Sequence, residues 1–398
     1  MHSRVFRYTM FGLLYFVQGT VLGYFVSLNA LYLLDHGLTM ENVGIFSMIA
    51  LLPFVLKIFM GLLSDKVNLL GMGHRKPYIF IGLFIQTLCL VIVPFVDPAK
   101  SYWGFVFVAF MLQTGMALYD TCTDGLAIDT TPVEEEGIIQ GFMVGGRALG
   151  TILLASVVGL LANQGLWQYV FWLLALLTLL PVPFVIKMSE PKDVEQREFQ
   201  WSAFGHFKQG RILLLSGIGF LIFFIIAGVN QVMNPFLTQS LDISLQTAGN
   251  VASVWGIGVV AGAMLTGWLI KKVGFNRILF VVILLGAFSV VGLLLISSMS
   301  TIWVFVMLFG YSYGAYQTMY YAMSMNNVER SVAATMYSIF MAISNIGQGV
   351  GMAVIGMLIV RLDYPASLLI FAGLNLLLIP MAMQFILRKK PAAIVQPA

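Results

Sequence analysis

Charge is scarce in this chain. Only 10% of its 398 residues are Asp, Glu, Lys or Arg, against about 25% in an ordinary soluble domain. Hydrophobic residues make up 60% and the mean hydropathy is +0.93. That excludes a water-soluble fold and leaves no stretch long and polar enough for a soluble catalytic domain, so no enzyme activity is expected. Cysteine is nearly absent: Cys89 and Cys122 both fall in apolar runs, which excludes a disulfide framework. No G-x-x-x-x-G-K phosphate loop occurs, so nucleotide hydrolysis by that route is excluded. The four histidines, His2, His36, His74 and His206, lie near or beyond the ends of the apolar runs without metal-ligand neighbours, and no metal or organic cofactor is expected. A net charge of +4 follows from loop residues and calls for no nucleic-acid partner. Met1 to Tyr8 carries no cleavable leader pattern, so the first apolar run is expected to stay as a helix.

What is present is a series of twelve apolar segments, each near or above the roughly 20 residues that cross a bilayer. They run over 9–34, 41–63, 77–96, 102–128, 137–163, 166–188, 211–239, 247–270, 276–298, 301–325, 331–360 and 364–387. With the N-terminus inside, seventeen of the 21 Lys and Arg fall in loops on one face, so both termini are expected to be cytoplasmic. Trp103, Trp167 and Trp303 then open segments at the outer surface, as interfacial anchors do. The longest loop, 189–210, divides the chain into 1–188 and 211–398. Its Trp201, Phe204 and Phe207 recur every three residues, as in a short helix lying on the membrane face. An internal echo supports two repeats: Trp103-Gly-Phe105-Val106 matches Trp303-Val-Phe305-Val306 six segments later. The expected fold is all-α, with twelve transmembrane helices in two pseudo-symmetric six-helix bundles around a midplane cavity.

Four charges lie inside these segments: Lys57, Asp120, Asp124 and Arg147. A charge at mid-bilayer costs about 2.5–3.5 kcal/mol on insertion scales and usually serves a substrate or ion path. At about 1.5 Å per residue, Asp124 lies roughly 7 Å deep, Lys57 and Asp120 roughly 12–13 Å and Arg147 roughly 15 Å. Two cations and two anions in one layer fit either of two roles. They lock three helices together by ion pairs, or they bind an anionic group and carry a proton. In the second half, Asn230, Gln231, Asn234, Tyr316, Gln317, Tyr320, Asn345 and Gln348 are candidates to hydrogen-bond a polar substrate, or else to join helices. Gly141-x-x-x-Gly145, Gly146-x-x-x-Gly150, Gly258-x-x-x-Gly262 and Gly347-x-x-x-Gly351 permit close helix approach.

Gly61-x-Leu63-x-Asp65, followed by Gly73-His-Arg75-Lys76-Pro77, resembles the signature loop of the major facilitator superfamily. Over the first 150 residues, Gly37, Gly44, Phe46-Ser47, Pro53, Lys57 and Asp65 keep the spacing of the muropeptide permeases and the related acetyl-coenzyme A transporters. So do Asp120, Asp124, Asp129, Pro132, Glu134, Glu135, Gly137 and Arg147. Ala127 departs from the permease pattern, which typically has Arg there. The resemblance implies the major facilitator fold and a monomeric, proton-driven secondary transporter in contact with membrane lipids, placed in a bacterial inner membrane. Its expected substrate is an anionic or polar organic metabolite, with a muropeptide favoured. The alternatives are an exporter or exchanger for another metabolite or drug, and a non-transporting pigment or lipid assembly factor. In the superfamily the Asp of the signature loop tethers the two halves when the inner side closes. Asp65, Arg75, Lys76, Asp129, Glu134 and Glu135 are therefore the expected inner gate.

Overall fold

Side-chain caps start five of the helices, α1, α3, α12, α14 and α16 in the order given below, and breaks near proline divide two segments that hydropathy alone joins. A computed structural model describes residues 3–71, 73–132, 135–190, 201–329 and 333–388. Ser3 caps α1, Arg4–Ser27, and Leu28 separates it from the short α2, Asn29–Asp35. Thr39 and Asn42 form a capping box at the start of α3, Met40–Val55. Pro53 removes a helical N–H there, and the chain restarts as α4, Lys57–Lys66. The segment expected as one helix over 41–63 is thus two, and Lys57 opens the second. Next come α5, Lys76–Ile92, α6, Tyr102–Thr130, and α7, Glu136–Asn163. Pro181 and Pro183 likewise divide the expected 166–188 span into α8, Trp167–Thr178, and α9, Val182–Lys187.

After the loop, α10, Ala203–His206, is the short surface helix. Trp201 and Phe204 stack beside it in exposed positions, while Phe207 packs on Phe340. The remaining helices are α11, Gly210–Leu241, α12, Leu245–Val273, α13, Phe275–Leu294, α14, Met299–Asn326, α15, Ala333–Arg361, and α16, Tyr364–Leu387. Eleven spans among the described residues are long and apolar enough to cross a membrane. The twelfth expected segment is α14, whose 28 residues are long enough but too polar to qualify. Its polar groups are met inside the protein: Ser312 pairs with Ser289 at 2.8 Å, and Tyr316 donates to Asn375 Oδ1 at 2.6 Å.

Early helices pack mainly on early helices, α1 on α7 and α5 on α6, and late on late, α11 on α15 and α12 on α14. Two seams join the sets, α3 with α15 and α7 with α12. Both need glycine, at positions outside the spaced pairs. A Cβ on Gly249 would stand 2.4 Å from the Ala155 carbonyl oxygen, and one on Gly356 2.3 Å from that of Met40. The glycine pairs picked out by sequence instead seat Gly146 and Gly150 on α1, Gly258 and Gly262 on α14, and Gly347 and Gly351 on α11. Small-residue spacing marks a close approach but does not name the neighbour.

Candidate functional site: a charged cluster beside a central cavity

Asp120 and Asp124 are four residues apart on α6 and share one face. Lys57, the first residue of α4, points its ammonium between them. It hydrogen-bonds Asp120 and lies 3.3 Å from Asp124 Oδ2. Tyr15 of α1 donates its hydroxyl to Asp124. Asp120 is buried, while Asp124 and Lys57 are partly open. The four charges of the sequence therefore do not form one closed set. Arg147 has no carboxylate partner among the described residues; its Nη1 donates to Gln18 Oε1 at 3.4 Å.

Arg147 is exposed, and it faces a cavity of about 610 Å³ between the early and late helices. It is the one charged residue in the described lining. Of the second-half candidates, Asn230, Gln231, Gln317 and Gln348 line this cavity. Tyr316, Tyr320, Asn234 and Asn345 do not. Tyr316 bonds Asn375, and Tyr320 donates to the Phe340 carbonyl at 3.0 Å. Asn234 donates to the carbonyls of Ser27 at 2.6 Å and Ala248 at 3.1 Å, and Asn345 to that of Phe54 at 3.3 Å. Helical phase explains the split on α14. Tyr313 and Gln317 share the cavity face, whereas Tyr316 and Tyr320 share the adjacent one, turned into the bundle. Lys57, Asp120 and Asp124 also stand apart from the lining.

Gln113, Trp255 and Tyr313 line the cavity without having been singled out in the sequence, as does Asn29. Gln113 carried a usable signal, since it precedes Asp120 by seven residues and so repeats its helical phase. Trp255 meets Tyr313 edge to face at 5.1 Å, a contact between distant segments that no local pattern announces. At one end the cavity is shut. Ser253 donates to the Ile152 carbonyl at 2.7 Å, and Gly249 lies against Ala155 and Gly159. Toward the end bearing Arg4, α7 and α12 part. Gly141 and Gly145 meet no neighbouring atom, and Val144 and Met264 are 62% and 73% exposed.

Of the expected gate residues, Arg75, Lys76, Asp129 and Glu135 are described, and they lie toward that open end. Glu135 pairs with Arg4 at 2.6 Å and with Arg7, rather than with Arg75 or Lys76. Burial raises the Glu135 carboxyl, but the Arg7 and Tyr8 hydrogen bonds and the two guanidinium charges outweigh it and hold it below the usual range. Arg75 reaches Asp129 at 3.3 Å and Ser64 Oγ at 2.7 Å. Lys76 donates to the carbonyls of Ile186 and Met188 at 2.6 and 3.0 Å. The Glu190 carboxylate accepts from the backbone N–H groups of His74, Arg75 and Lys76. Apart from Glu190, at the start of the long loop, these partners all precede it, and none belongs to the second half. Glu134 and the Asp65 side chain lie outside the described residues.

A profile of the Major Facilitator Superfamily matches residues 11–341 and 215–398. The chain belongs to this superfamily. It is 25% identical over 238 residues to the sialic acid transporter NanX of Escherichia coli, covering 58% of this chain and 55% of that one. It is 24% identical over 123 residues to the putative transporter AmpG 1 of Rickettsia prowazekii, covering 30% and 28%. The match to each of these relatives thus spans about half of its length or less. The crystal structure of the nucleoside transporter NupG superposes with a TM-score of 0.81 at 14% identity, covering 98% of this chain and all of that one. That likeness concerns the fold.

Proposed function

We propose that the chain is a proton-coupled secondary transporter that moves an anionic organic metabolite by alternating access. The observation that carries this reading is Arg147, an exposed guanidinium without a carboxylate partner in a cavity whose other described lining is uncharged. A cation held inside a membrane protein at such cost is satisfied when a substrate brings the anion. Beside it, Lys57 already has two carboxylates, more negative charge than it needs. One of those carboxylates is therefore free to take up a proton without stranding the lysine, which is what a proton carrier requires. Tyr15 and Gln18, one turn apart on α1, touch the two sites separately and join them through one helix.

In this reading residues 1–188 and 211–398 form the two moving bundles, joined by 189–210. With both termini in the bacterial cytoplasm, the shut end faces outward and the form described is inward-open. The sialic acid relative favours an acidic sugar as cargo, and the resemblance to the muropeptide permeases favours a muropeptide. Purified protein in proteoliposomes should accumulate such a compound only with an inward proton gradient. Asp120→Asn should lose accumulation while keeping exchange of internal for external substrate. Gradient-independent accumulation by the wild type would refute proton coupling.

A further inference from the structure

Two helix ends in the first half each receive a hydrogen bond from an asparagine of the second. The last four carbonyls of a helix have no partner within it. Ser27 ends α1, and its carbonyl accepts from Asn234 of α11 at 2.6 Å. Phe54 is the last residue but one of α3, and its carbonyl accepts from Asn345 of α15 at 3.3 Å. Neither asparagine lines the cavity. Both act on backbone at a point where a first-half segment is broken.

The Asn345 bond stands where the α3–α15 seam gives out. Along that seam the helices run antiparallel, and the fit loosens step by step. A Cβ on Gly356 would stand 2.3 Å from the Met40 carbonyl oxygen, one on Gly44 2.7 Å from that of Met352, and one on Gly349 3.4 Å from Met48 Cγ. Asn345 and Phe54 follow next along the two helices. Beyond them α3 ends at Val55 and α4 opens at Lys57. α3 packs chiefly on α15, whereas α4 packs on α6, where a Cβ on Gly61 would lie 3.3 Å from Thr121. One apolar segment is thus held by the second half before its break and by the first half after it.

We propose that Asn345 is a positioning residue that ties closure of the α3–α15 seam to the placement of Lys57 on Asp120 and Asp124. While the seam is shut, Asn345 holds the end of α3 and so fixes where α4 begins. When the seam parts, that bond is lost and the break relaxes. Lys57, the first residue beyond the break, then shifts against α6. A proton that enters the carboxylates changes what Lys57 is paired with, and by reciprocity it must bias the seam. The proposal rests on the proton-coupled reading above and adds the element through which the proton acts on the two halves. The titratable and charged groups facing this cluster are Tyr15 of α1, Tyr119 of α6, Arg147 of α7 and Tyr321 of α14.

The test needs no substrate. Spin labels on Glu41→Cys and Val360→Cys, both exposed at the shut ends of α3 and α15, would report the open share of the seam by distance measurement on purified protein. In wild type that share should change about threefold or more between about pH 5 and pH 8, and Asp120→Asn with Asp124→Asn should abolish the change. Asn345→Ala should raise the open share about two- to tenfold, the worth of one hydrogen bond, and remove most of the pH response. Asn345→Gln keeps the amide donor and should retain the response. Asn234→Ala should raise the share similarly but keep the full response, because it loosens the same closure without touching the break before Lys57. A full pH response in Asn345→Ala, or an equal loss of response in Asn234→Ala, overturns the proposal and leaves proton coupling standing. A wild-type seam indifferent to pH, or a response that survives without the two aspartates, overturns the proton-coupled reading and the proposal with it.

Discussion

Lys57 shows how a single residue acquires a role from its surroundings. Its ammonium is one cation shared by two carboxylates, one of them buried. Lys57→Ala should cost about 3–5 kcal/mol, because it strands the Asp120 charge. Adding Asp120→Asn should recover much of that loss, since the amide needs no counter-ion. A double-mutant cycle read by unfolding in detergent checks this, and additive losses would show the pair to be uncoupled. Glu135 offers a test by pH. Its carboxyl titrates below the ordinary carboxylate range in the folded state, so its clasp on Arg4 and Arg7 is fully present above that range. The stabilisation fades as pH falls through the lowered folded value. The melting temperature of wild type should exceed that of Glu135→Gln near pH 7, and the two should converge as pH falls through the lowered carboxyl value. A separation that stays constant to pH 3 would rule out the ion pairs as its source.

At the scale of the element, α1 is the helix with contacts on both sites. Tyr15 and Gln18 are three residues apart and share a face, one on Asp124 and the other on Arg147. Gln18 is 4% exposed and sits where α1 and α7 touch. Across the cluster stand Lys57 from α4, Asp120 and Asp124 from α6, Arg147 from α7 and Tyr321 from α14. Gln18→Ala should leave Arg147 free to bind the anion while loosening its link to the carboxylates. Exchange should persist with KM changed less than threefold, while the pH profile of gradient-driven uptake should flatten. An unaltered pH profile would show that α1 does not couple the sites.

For the whole molecule, the balance between states rests on the seams. Gly249 admits the Ala155 carbonyl so closely that any side chain must push α12 from α7. Overpacking of this kind costs about 1–3 kcal/mol, and each 1.4 kcal/mol is tenfold in population. Gly249→Leu should therefore shift the protein toward a form open at the other end. A cysteine at Gln231, in the cavity wall, would report this as faster labelling from the side of Leu241. The native Cys89 and Cys122 are buried and should contribute little background. Unchanged labelling from that side would show that this seam does not hold the closure.

The sequence by itself determined the membrane class, the helices and the charges, because each depends on local quantities. Bilayer thickness fixes the length of an apolar run, and the cost of burying charge makes Lys57, Asp120, Asp124 and Arg147 conspicuous. Only the tertiary structure decided which polar groups face the cavity. On a helix, residues three or four apart share a face, but its direction depends on neighbours far away in sequence. That is why Tyr316 and Tyr320 turned inward while Tyr313 and Gln317 face the cavity. It is also why Glu135 chose Arg4 and Arg7 over Arg75 and Lys76, equal in charge but packed elsewhere. The separation of Arg147 from the carboxylates, on which the proposed function depends, arises the same way. Depth placed all four charges in one layer, and only the packing of α1, α4, α6 and α7 set their distances within it.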